Sequence, residues 1–216
     1  MEITHRSEQK YDGGLDVSAI QERLLNWGAE NRREFPWRTR IPFWQGLLVE
    51  VLLQRTRAAQ VTPVFKSLKQ QFPVAHRLAD MTTADADDFF SSLGLTWRAT
   101  HFVQLAWEIG KRRGRLKRDY LELQKLPGVG PYAAAAALSL HGEVRHEIVD
   151  SNTVRIVCRL LGNEFGAETR RKRWVHNALE SITPELEFRA FNFALLDLGA
   201  EVCRPRNQLC DSCPLL

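Results

Sequence analysis

A chain of 216 residues, 44% of them apolar and with a formal net charge of +4, is long enough to bury its own core as one large domain or two smaller ones. No stretch reaches the ~18 uninterrupted apolar residues of a membrane span, and the segment before Leu15 lacks the apolar core of a secretory signal. Three of the four cysteines fall in the last fourteen residues, which is not the distribution of a secreted disulfide scaffold, so a reducing, cytoplasmic setting is expected.

Nearly every segment repeats its apolar residues at helical period and none alternates as a strand would, so the expected fold class is all-α. The first helix runs from Val17 to Asn31 with Ile20, Leu24, Leu25 and Trp27 on one face, behind Asp16 or Ser18 as cap. A second, Phe43 to about Thr56, is apolar on most sides and therefore buried; a third spans about Ala59 to Gln71 before Pro73. Thr82 to Gly94 has a capping threonine, acids in the first turn and a terminal glycine. Trp97 to Arg113, closed by Gly114, and a short helix from Asp119 to Lys125 precede Leu126-Pro-Gly-Val-Gly-Pro-Tyr132, from which an alanine-rich helix continues through Leu140. Helices follow at about Ser151 to Leu161, Glu168 to Ile182 and Leu186 to Ala200.

Basic residues cluster at Lys111 to Arg118, at Arg170 to Arg173 and around Pro36-Trp37, as suits a polyanion, although any one such cluster is more often a solvated helix face. In the Pro-Gly-Val-Gly turn, two glycines allow a sharp bend, and the helix that Pro131 opens exposes amide donors fit for a phosphate; the plain alternative is an interhelical turn. Asp150 stands between an apolar approach and a helix, the place of an N-cap. Glu50 lies inside Gly46-Leu-Leu-Val-Glu-Val-Leu-Leu, where a carboxylate must be paired, with Arg55 or Gln54 in reach, or functional as a proton donor.

The Leu126–Ala134 segment resembles the hairpin of the helix-hairpin-helix DNA glycosylases, the superfamily of endonuclease III and the adenine glycosylases. Phe35-Pro36-Trp37-Arg38, Glu50 to Thr56, Val149 to Arg155 and Phe191 to Cys203 agree with it in order and spacing. The resemblance implies a six-helix barrel over about 34–144, with 1–33 and 145–216 joined as a second helical domain and a flipped nucleotide held in the cleft between them. It implies that Asp150 is the catalytic carboxylate, opposing the oxocarbenium charge that grows on the sugar. Glu50 matches the second carboxylate, which protonates or hydrogen-bonds the departing base. Tyr132 stands where the bifunctional branch carries its Schiff-base lysine, so a monofunctional enzyme using water is expected, with the tyrosine ring also available to stack on a base. Gly128, Val129 and Gly130 would grip a backbone phosphate, and Gln54 and Arg55 would fill the gap left by the extruded base.

Cys203, Cys210 and Cys213 reproduce three of the four ligands of the family's [4Fe-4S] loop; the fourth is expected about five residues on, past Leu216. Cys158 reads as a small buried hydrophobe. Within the superfamily the chain looks most like the thymine mismatch glycosylases, and this resemblance implies a monomer acting on double-stranded DNA that carries thymine or uracil opposite guanine. Adenine opposite guanine or 8-oxoguanine is the alternative, and a non-catalytic helix-hairpin-helix DNA-binding module is the alternative of another class, under which Asp150 is dispensable.

Overall fold

Capping chemistry sets four of the helix starts. In the computed structural model, which describes residues 14–94 and 96–216, Asp16, Thr82, Asp119 and Asp150 each accept an amide hydrogen bond at the head of a helix. At Thr82 the bond is reciprocal, with Asp85 accepting from the Thr82 amide and hydroxyl. The helices are α1 (Val17–Glu30), α2 (Phe43–Leu53), α3 (Ala58–Gln71), α4 (Thr83–Ser91), α5 (Ala99–Lys111), α6 (Tyr120–Gln124), α7 (Pro131–His141), α8 (Ser151–Leu160), α9 (Arg173–Ile182) and α10 (Phe188–Glu201). No strand occurs among the described residues. The reading of the N-terminal segment as lacking a leader falls on residues 1–13, outside the described ones.

Three expected helices start differently. The fifth opens with a 3-10 turn, Thr96–Arg98, before α5. The segment expected over Glu168 to Ile182 is interrupted at Lys172, whose extended backbone separates a 3-10 turn, Thr169–Arg171, from α9; the Thr169 hydroxyl accepts the Gly166 amide and fixes that turn. The last helix begins two residues late because Glu187 takes a left-handed conformation, φ 57°.

The chain divides into two units, Arg33–His146 and, for the described residues, 14–32 with Glu147–Leu216. The first holds α2 to α7. Phe43 through Leu52 are buried all round α2, as its apolar run requires, and α2 packs against α3 and α7 over a core that includes Leu47, Leu48, Phe65, Phe90 and Phe102. The second holds α1, α8, α9 and α10 around Leu24, Val154, Val157, Leu179, Phe191 and Leu198. Cys158 belongs to this second core, as expected of a small buried hydrophobe. Several members of the basic clusters have local partners: Lys111 and Arg112 pair with Glu108, Arg118 with Glu143, and Arg171 with Glu168.

Candidate active site

Asp150 is the N-cap of α8, and both of its carboxylate oxygens are occupied. Oδ1 accepts the Asn152 and Thr153 amides, each at 2.8 Å, and Oδ2 accepts the Asn152 side-chain Nδ2 at 2.9 Å. The Thr153 hydroxyl accepts the Asp150 amide in return, closing a capping box. Burial raises the Asp150 carboxyl above the ordinary carboxylate range, against the pull of these donors toward the anion.

Behind Asp150 stands a residue that the sequence reading passed over. Arg155, buried on α8, donates Nη2 to Asn152 Oδ1 (2.8 Å) and to the Gly199 carbonyl of α10 (2.7 Å), Nε to the Cys203 carbonyl (2.7 Å) and Nη1 to the Ser151 carbonyl (3.0 Å). One rigid fork thus fixes the amide that fixes Asp150. An arginine one turn past a candidate acid is the only local hint of this role, because its partners at 199 and 203 are remote in sequence.

Glu50 is enclosed in the other unit, its side chain 1% exposed. Neither Arg55 nor Gln54 partners it. The Tyr132 hydroxyl donates to Oε2 at 3.2 Å, and His141 Nε2 lies 3.0 Å from Oε1. The reason is geometric: an acid in the middle of α2 faces α7, which packs alongside and brings Tyr132 and His141, whereas Gln54 and Arg55 follow the helix end. His141 was not anticipated, since it lies 91 positions from Glu50. Gly46 lets the histidine in: a side chain there would overlap the His141 ring.

Gln54 caps α2 and is held by Arg98, Nη1 to its carbonyl (2.8 Å) and Nη2 to its Oε1 (2.6 Å). It is therefore a fixed residue in this structure and not the surface polar group that its position after α2 allows. Burial, and secondarily the charge of Arg55, lower the Arg98 value. Arg55 is exposed with φ 62°, a conformation that favours glycine. In the hairpin, Gly128 supplies the left-handed residue the turn demands (φ 72°), Gly130 is the N-cap of α7 and Pro131 its first residue. Val129 offers less than the sequence reading asked of it: its side chain is buried and its amide donates to the Leu126 carbonyl.

Cys203, Cys210 and Cys213 line an apolar cavity of about 320 Å³ with Ile156, Leu198 and Leu209. Arg159 donates to Cys203 Sγ at 3.1 Å. Burial, and to a lesser degree the neighbouring thiols, push the Cys213 thiol up. No cluster of three or more histidine, cysteine or acidic residues suited to a single metal ion occurs among the described residues. No helix among them is long and apolar enough to cross a membrane.

No protein-family model matches the chain. A thymine/uracil-DNA glycosylase of Pyrobaculum aerophilum is 30% identical over 209 residues, which cover 94% of this chain and 90% of that protein. A thymine-DNA glycosylase of Aeropyrum pernix is 31% identical over 207 residues, 92% of each chain. An adenine DNA glycosylase of Rattus norvegicus is 31% identical over 93% of this chain, but the match spans only 41% of that longer protein. A solved structure of a thermostable thymine-DNA glycosylase superposes with a TM-score of 0.83 at 27% identity, covering 92% of this chain and 93% of that one. An endonuclease III–DNA covalent intermediate shares the fold, with a TM-score of 0.76 at 24% identity and 92% of both chains covered. With two relatives matched over nearly their full length at 30% identity or more, this chain belongs to the helix-hairpin-helix DNA glycosylases.

Proposed function

We propose that the chain hydrolyses the N-glycosidic bond of thymine or uracil mispaired with guanine in double-stranded DNA, with water as the nucleophile. The observation that carries this reading is the near full-length match to two glycosylases whose names specify thymine or uracil. The longer adenine glycosylases share only part of their length with this chain. Asp150 opposes the positive charge that develops on the sugar, Glu50 and Tyr132 serve the departing base, and the hairpin backbone around Gly128 and Gly130 receives a phosphate. Gln54 and Arg55 fill the gap that the extruded base leaves in the duplex. Flipping the base costs a few kcal/mol, least for a mispair, so the weakness of the mispair contributes selectivity.

A water mechanism is supported by what the hairpin lacks. Tyr132 occupies the place of an imine-forming amine, and nearby Lys125 is bound to Glu122 at 2.7 Å, a bond that raises its value and keeps it an ammonium. Duplexes with G·T, G·U, G·A and 8-oxoG·A pairs, scored for alkali-labile sites with and without borohydride, test the proposal. Release from G·T and G·U without a trapped adduct is expected. Release of adenine alone would replace the base assignment, and a borohydride-trapped adduct would overturn the water mechanism.

A [4Fe-4S] cluster on the cysteine loop is supported by three thiols that line one apolar cavity and by one sulfur that already accepts an N–H. Cys203, Cys210 and Cys213 would hold it, and it would supply a cross-link fastening the loop. Iron and sulfide analysis of the purified protein checks this; iron-free protein of unchanged activity would remove the cluster.

A further inference from the structure

We infer that His141 is a positioning residue that holds Glu50 against Tyr132 and shares a proton with it, so that this proton reaches the departing base through the Tyr132 hydroxyl. The inference rests on the glycosylase reading above. Its physical basis is the enclosure of the pair. His141 Nε2 and Glu50 Oε1 are 3.0 Å apart with both side chains 1% exposed. A net charge at such a place is costly, so the enclosure favours a single proton shared between the two. His141 ends α7, where the helix dipole favours the imidazolium form and so supports the pair when the proton sits on the histidine.

The surroundings contain few competitors. α2 carries no ionisable residue but Glu50, and α7 none but Tyr132 and His141. On the elements packed against them, Glu122 of α6 is bonded to Lys125, and Tyr120 stacks on His146. Lys69 of α3 lies over the Phe65 ring, and Lys66 of the same helix is exposed. After α7, Glu143 pairs with Arg40 and Arg118, and Arg145 completes the set.

Tyr132, bound to the second oxygen of Glu50, is the partly exposed member of the trio and so the route to a ligand. The step balances. The C1′–N bond breaks with its electron pair going to the base; Tyr132 gives its proton to the base and takes the one shared by Glu50 and His141. Water gives hydroxide to C1′, and its remaining proton restores the pair.

The test is single-turnover base release by the full chain across about pH 5.5 to 8.5, comparing wild type with His141→Gln, which keeps an N–H donor for Glu50 but cannot carry a proton. Wild type is expected to hold its rate toward alkaline pH. The variant is expected to lose roughly ten- to hundredfold at the alkaline end and to recover toward the acid end, where protons from solution stand in for the one the histidine shared. A variant profile parallel to wild type, whatever its height, would make the histidine merely structural and overturn the inference. If His141→Gln does not fold, imidazole NMR of wild type and Glu50→Gln decides. Removal of the carboxylate is expected to move the His141 titration to lower pH, and identical titrations would refute the coupling. Wild-type protein that releases no base from any duplex would defeat the glycosylase reading while leaving the NMR result to judge the pair.

Discussion

The two carboxylates of this chain are held by opposite kinds of neighbour. Asp150 is ringed by groups that cannot titrate near neutrality: two backbone amides, an asparagine amide and, behind them, a guanidinium. Glu50 is ringed by a phenol and an imidazole, both of which can carry a proton away. Fixed donors prepare a carboxylate to remain an anion in a set place, while exchangeable ones prepare it to pass a proton. The comparison teaches that the identity of the partner, more than burial, separates the two tasks.

Neutralising each acid in turn is the sharpest way to break the comparison. Asp150→Asn is expected to lower base release about a thousandfold where the wild-type carboxyl is ionised, and by less toward acid pH as that raised carboxyl protonates, as removal of a charge stabiliser does. Glu50→Gln, which under the proposal loses the proton supply, should cost about a hundredfold and flatten the pH profile. Equal losses with equal pH dependence would erase the distinction. The fold responds in its own way. Asp150 has a folded value above its unfolded one, so its contribution to stability is full below the unfolded value and is lost as pH rises through the folded value. Its ionisation therefore weakens the fold, and Asp150→Asn, still an N-cap acceptor, should change the melting temperature by less than roughly 3 °C.

A smaller effect on rate is expected from Arg155→Met, which deprives Ser151, Gly199 and Cys203 carbonyls of a donor and leaves the Asn152 amide unanchored. Base release should fall about tenfold and stability by about 3 kcal/mol, read as a melting temperature lower by roughly 6 to 12 °C. If only stability fell, the fork would serve packing alone and the fixed-donor account of Asp150 would narrow to its two backbone amides.

What the sequence discloses and what it hides divide along sequence distance. Thr82, Asp119 and Asp150 announce their helices because a cap acts on amides two or three residues away. The apolar run of α2 announces its burial for the same local reason. His141 and Arg98 announce nothing, since their partners Glu50 and Gln54 lie 91 and 44 positions away and meet them only once the unit has packed. The break at Lys172 escapes as well: Thr169 and Gly166 close a turn by a side-chain bond that helical periodicity does not register. Resemblance supplied Asp150 and Glu50 as candidates, but the partners that separate their tasks are tertiary.

The close passage of α2 against α7 at Gly46 has a consequence for how this fold can vary. The room that glycine leaves vacant is filled by the imidazole of His141, so the two positions share one fixed volume. A chain of the same architecture with a branched residue at the first position must place something small at the second, and it must then keep its buried acid without an imidazole. Size at one site is thereby exchanged for proton chemistry at the other.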